Sequence, residues 1–346
     1  MANTGIEGDE ALLLNPENKR DIEEMGSSQN NRNSPTANII EKTLYMLSKH
    51  WEKRAVVKND KSNDAYQACF DNGKEDYNET LLPFYHHPHW QSASKEFKSH
   101  VLSWAWIIYN QKTIHIEVEI INPVLEAIIL EKIPGATDYL SKKIASETYV
   151  DETYHTLMAV NACNIVSVER NLGKIVLPEY DLIFSQKKVI NEQNDQQKNM
   201  LLRLATASVS ETLISSYLDV LSKDMSINSF CRMTIDAHRK DELAHANLFT
   251  GIMKKIFPNL SKEQQEYYLS MLPCAIRWFA SKELRLWGFV LNEINFPNHR
   301  EMLSEISELE TKQIDTIDYS GPVKLAEGLG CDIASYFHKN DLEIIH

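Results

Sequence analysis

Apolar residues recur at three- and four-residue spacing along most of the chain, the pattern of helices that bury one face. It begins at Asn38 in NIIEKTLYMLSKHWEKR and loosens through DNGKEDYN and LPFYHHPHW to about residue 91. The spacing then predicts long helices over 93–131, 136–169, 197–224 and 226–257, with further helices over 261–292 and 299–313. Pro123 predicts a kink in the first of these, because proline removes a backbone donor and crowds the preceding turn. IPG ends that helix, and NLGKIVLPEYD breaks the chain after the second. No alternating strand pattern of useful length interrupts them. Residues 1–35 are polar and nearly free of aromatics, which predicts a disordered tail, with ALLL at 11–14 a weak docking candidate. One helical domain is expected over 36–335, with a short C-terminal tail over 336–346.

Composition sharpens this picture by exclusion. The chain has 346 residues, only 11 Gly and 11 Pro, and a hydrophobic fraction of 43%, which suits long helices. A formal net charge of −13 argues against nucleic acid or an anionic membrane as partner, since phosphates would be repelled over most approaches. No apolar run is long enough to span a bilayer, and no secretory signal opens the chain. Five scattered cysteines without a CxxC pair read as free thiols in a reducing cytosol, so a cytoplasmic protein is expected.

Candidate chemistry lies in the four central helices. DETYH at 151–155 and DELAH at 241–245 are separated by a uniform offset of 90 residues. Glu and His three apart share a helix face, so Glu152 with His155, and Glu242 with His245, can each reach one point beside the helix axis. Composition alone yields about one such pair, and Glu343 with His346 at the C-terminus is the candidate for the chance match. The other two copies differ because each follows an Asp and each has a Glu in the preceding helix. Glu117 precedes Asp151 by 33 intervening residues, and Glu211 precedes Asp241 by 29. Glu117 is preferred over Glu119 because it shares a stripe with Ile114, Ile121 and Val124, whereas Glu119 points about 160° away. Folded together, four Glu and two His reproduce the carboxylate-bridged di-iron or di-manganese arrangement of a ferritin-like four-helix bundle. The expected fold is therefore all-α, with that bundle as core and additional helices around it. Four carboxylates offset two divalent cations, while four inward Glu without metal would repel. Imidazole with carboxylate at open positions suits iron or manganese better than a closed zinc site.

His238 precedes Glu242 by four and His245 by seven, so HRKDELAH sets all three on one face and raises the metal set to seven: Glu117, Glu152, His155, Glu211, His238, Glu242 and His245. Asp151 and Asp241 are expected behind them, each accepting a hydrogen bond from a ligand histidine. Other features have plainer readings. HHPHW reads as an irregular loop packing its rings over the bundle, ahead of a second metal site. Tyr149, Tyr154 and Tyr217 read as packing ahead of a radical role, and Arg203, Arg232, Arg277 and Arg285 as salt-bridge residues ahead of substrate carboxylate binders.

Glu117 with DETYH, Glu211 with DELAH, and the extra His238 resemble the di-iron N-oxygenases typified by p-aminobenzoate N-oxygenase. The resemblance covers roughly residues 80–250. It implies a pair of iron ions, ahead of a mixed Mn/Fe pair, with O2 as co-substrate and an external electron donor, either a protein or a small reductant. The implied reaction oxidises a primary amine, an arylamine or one derived from an amino acid, to hydroxylamine and then toward nitroso or nitro, in small secondary-metabolite biosynthesis. No residue beyond the ligands is required as nucleophile. The amine can be free or bound to a carrier protein, and a homodimer is compatible with the family. Another ferritin-like di-iron oxidase (a hydroxylase, desaturase or radical-generating subunit) is the alternative; it would share the six-ligand core without needing His238.

Overall fold

The computed structural model describes residues 35–59, 70–310, 319–333 and 336. Both expected tails lie almost wholly outside these residues, as do ALLL and the Glu343/His346 pair.

Eleven helices of eight or more residues carry the described fold: α1 Pro35–Arg54, α2 Lys95–Ile116, α3 Asn122–Ile129, α4 Tyr139–Glu169, α5 Asp181–Glu192, α6 Gln196–Ser222, α7 Ser229–Ile256, α8 Lys262–Phe279, α9 Leu284–Glu293, α10 His299–Glu310 and α11 Ser320–Gly328. The described residues contain no strand, only an isolated bridge between Glu75 and Ile227. The chain is all-α, as its periodicity implies. Each bundle helix starts on a polar cap whose side chain accepts a backbone N–H of the first turn: Ser94 for α2, Asp138 for α4, Asp195 for α6 and Asn228 for α7.

α2 and α3 pack along α4, and α6 packs along α7, while α4 and α7 face each other. α1 lies across both α4 and α7, and α8 covers the outer side of α6. The core filling the space between is rich in aromatics, with Trp90, Trp106, Tyr180, Tyr268, Phe84, Phe230, Phe249 and Phe296 essentially fully buried.

Three departures from the periodicity have local causes. The kink expected at Pro123 takes the form of a π turn over Glu117–Ile121, in which Asn122 N–H bonds to the Glu117 carbonyl. The extra residue absorbs the donor and space that proline removes. The 261–292 stretch is broken by Glu283, which sits at φ 53° and is buried; Lys112 Nζ lies 2.8 Å from its Oε1 and Asp181 N–H bonds to its Oε2 at 3.0 Å. Neither Gly nor Pro marks that break. α5 was not expected; only Leu182, Ile183 and Gln186 are buried on it, too short a face to register as a pattern. HHPHW is partly helical, with Pro88 starting a turn over Pro88–Gln91. Trp90 is buried against Phe84, and His87 and His89 bond to Glu305 and Glu301 at 3.1 Å each.

Candidate metal centre

The bundle brings all seven sequence-selected side chains to one place. Glu117, Glu152, His155, Glu211, His238, Glu242 and His245 are each at most 6% exposed. Glu117 reaches the interior at the start of the π turn, whereas Glu119 faces outward and bonds to His115 and Lys187.

Two overlapping sets define the centre. Glu117, His155, His238 and Glu242 offer atoms within 4.8 Å of one another, and so do Glu152, His155, Glu242 and His245. His155 Nδ1 lies 2.9 Å from Glu152 and 3.4 Å from Glu242. His245 Nδ1 lies 2.8 Å from Glu152, 3.5 Å from Glu242 and 4.0 Å from Glu211. His238 Nε2 lies 3.0 Å from Glu242 and 3.7 Å from Glu117, with its ring centroid 4.2 Å from that of His155. Glu117, His155 and His238 thus occupy one side, Glu211 and His245 the other, and Glu152 and Glu242 run between them.

The two aspartates reach across the bundle. His155 Nε2 is 3.1 Å from Asp241, and His245 Nε2 is 3.2 Å from Asp151. Each DExxH segment therefore supplies the carboxylate behind the other segment's histidine. A carboxylate only accepts, so each Nε2 carries the proton and each Nδ1 is the nitrogen turned toward the cluster.

The electrostatics are those of a dry pocket with unmatched charge. Burial pushes Glu117 and Glu211 well above the ordinary carboxylate range, and repulsion from Glu152 and Glu242 adds to it. Burial would do the same to Glu152 and Glu242, but His245 and His155 pull both down, Glu152 to about 2. Burial alone would lower His155 and His245; the facing carboxylates raise both well above the usual imidazole value. Burial and the neighbouring His155 lower His238.

The donor set fits a pair of divalent cations. Glu211 Oε2 is buried without a hydrogen-bond partner, and Glu152 Oε1 and His245 Nδ1 face each other at 2.8 Å without the alignment of a hydrogen bond. Buried polar atoms rarely go without good hydrogen bonds, and ligand atoms crowded together in this way are what cation ligation would satisfy.

A narrow recess reaches the His155/His238 side, lined by Tyr109, Asn110, Thr113, Met158, Ala159, Thr234 and Ile235, with room for about one water molecule. Tyr109 Oη is buried there, a feature the sequence reading did not select. None of the four arginines it named lines this recess; Arg285, for one, bonds to the Glu179 carbonyl. Tyr149 and Tyr217 are partly exposed, Tyr217 packing edge-on against Phe279 with ring centroids 6.0 Å apart, while Tyr154 packs near Met158.

A family model described as P-aminobenzoate N-oxygenase AurF matches residues 38–330. A 4-aminobenzoate N-oxygenase from Streptomyces thioluteus is 27% identical over 299 residues, which cover 85% of this chain and 88% of that protein.

Proposed function

The chain belongs to the p-aminobenzoate N-oxygenase family, and from that premise we propose that it binds two iron ions and uses O2 to oxidise the nitrogen of a small primary amine, an arylamine in the first instance. The observation that carries the reading is the convergence of seven buried carboxylate and imidazole side chains, Glu211 Oε2 among them without a hydrogen-bond partner, at the positions selected from the sequence. Glu117, Glu152, His155, Glu211, His238, Glu242 and His245 would hold the two ions. When bound, the iron pair supplies O2 binding and the redox capacity that side chains lack.

This chain's own residues do the rest. Asp151 and Asp241 hold the histidines with Nδ1 forward. Met158, Ala159 and Ile235 keep water from the His155/His238 side, while Tyr109, Asn110, Thr113 and Thr234 offer hydrogen-bonding groups to orient an amine. A substrate larger than water must spread this recess to enter. The electrons this chemistry consumes would come from a reductant outside the chain. The hydroxylase, desaturase and radical-subunit alternatives are not favoured, because the family match and His238 both point to N-oxygenation.

The test is to load the metal-free protein anaerobically with Fe(II), measure bound metal, then add O2 and reductant with aryl or aliphatic amines and follow N-oxygenated products by mass spectrometry. About two iron per chain and hydroxylamine or nitro products are expected. His238→Ala should retain the fold and lose most product formation. Less than one metal per chain, or no amine oxidised by a fully loaded protein, would overturn the reading.

A further inference from the structure

The two aspartates behind the histidines are themselves held, and by a single element. Trp51 Nε1 donates to both oxygens of Asp151, at 3.0 Å each. Val56 N–H donates to both oxygens of Asp241 at 3.2 Å, and Arg54 Nη1 donates to its Oδ1 at 3.3 Å. The other arm of the guanidinium, Nη2, lies 3.9 Å from Asp151 Oδ2. Both aspartate side chains are fully buried. One cation therefore lies between the two anions, and all the donors come from the last turn of α1 and the residues just after it.

We propose that Trp51 and Arg54 are positioning residues for the metal centre: through Asp151 and Asp241 they fix the ring orientation of His245 and His155, one in each half of the bundle. The proposal rests on the metal-binding reading above. Its geometric basis is a continuous set of hydrogen bonds from α1 to each ring: Trp51 to Asp151 to His245, and Arg54 with Val56 to Asp241 to His155. Aspartate has two freely exchangeable oxygens on a short stem, and three donors in fixed places select one carboxylate orientation. A carboxylate so oriented leaves its histidine one way to point Nδ1. α1 thus contributes no ligand, yet sets the geometry of two.

The probe is cobalt(II), whose visible absorption reports ligand geometry, titrated into the full-length metal-free protein. Wild type, Trp51→Phe, Arg54→Met and Arg54→Lys are compared for binding constant, absorption band and thermal midpoint of the metal-free form. Trp51→Phe and Arg54→Met should each weaken cobalt binding about tenfold, in the range for residues behind metal ligands, and shift the band. Arg54→Lys should recover part of the affinity, because it keeps the charge but not the two-armed reach, and it decides the matter if Arg54→Met does not fold. Wild-type affinity and band in the variants, whatever their midpoint, would overturn the proposal and reduce α1 to a structural helix. Failure of the wild-type protein itself to take up cobalt would instead remove the metal reading, and this proposal with it.

Discussion

Asp241 takes four contacts on two oxygens: His155 on one side, Val56 N–H to both oxygens and Arg54 on the other. At the scale of a single residue, this makes its charge matter more than its size. Asp241→Asn keeps the shape but places an amide N–H against at least one donor and weakens the hold on His155 Nε2. We expect metal affinity to fall about 10- to 100-fold, with little change in helix content; isothermal titration with cobalt(II) alongside circular dichroism checks both halves. The residue types and their spacing made the seven inner positions legible, because three-, four- and seven-residue intervals fix a common helix face before any packing is known. The partners of the two aspartates were not legible. Asp151 is four residues from His155 in sequence but serves His245, since at its position the side chain meets the facing helix rather than its own next turn.

At the scale of elements, the π turn over Glu117–Ile121 is the device that lets a helix carrying Pro123 still present a carboxylate inward. Val118, within it, is half exposed, so its deletion removes one residue from the turn at little packing cost. The expected outcome is an α-helical connection in which Glu117 is rotated by about 100° relative to α3. Helix content by circular dichroism should be retained, while bound metal falls below one ion per chain; two ions per chain in the deletion variant would show that the π turn does not set Glu117. Periodicity announced the helix and proline announced trouble in it. Whether the trouble became a bend or an inserted residue depended on α4 and α6, against which the turn packs.

For the molecule as a whole, the central consequence is that a metal-free pocket must store protons. Glu117 and Glu211 are held above the ordinary carboxylate range, and His155 and His245 above the ordinary imidazole range. All four keep protons to higher pH than they would in water, and ligation has to release them. Lowering the pH therefore adds competitor, and affinity for divalent metal is expected to fall from about pH 8 to about pH 6, with proton release on binding seen by an indicator dye in weak buffer; pH-independent binding without proton release would contradict the assignment. No described helix is long and apolar enough to cross a membrane, and the net charge of −13 leaves small molecules and proteins as natural partners. By itself, the sequence determined the helical class and the face on which each Glu and His lies, because these depend on interactions within a few residues. Only the tertiary structure decided that the two halves exchange aspartates, that α1 braces both from outside, and that Tyr109 shares a narrow recess with His155 and His238. Those relations join residues many turns apart in the chain, and close packing against the facing helix, rather than local spacing, selects them.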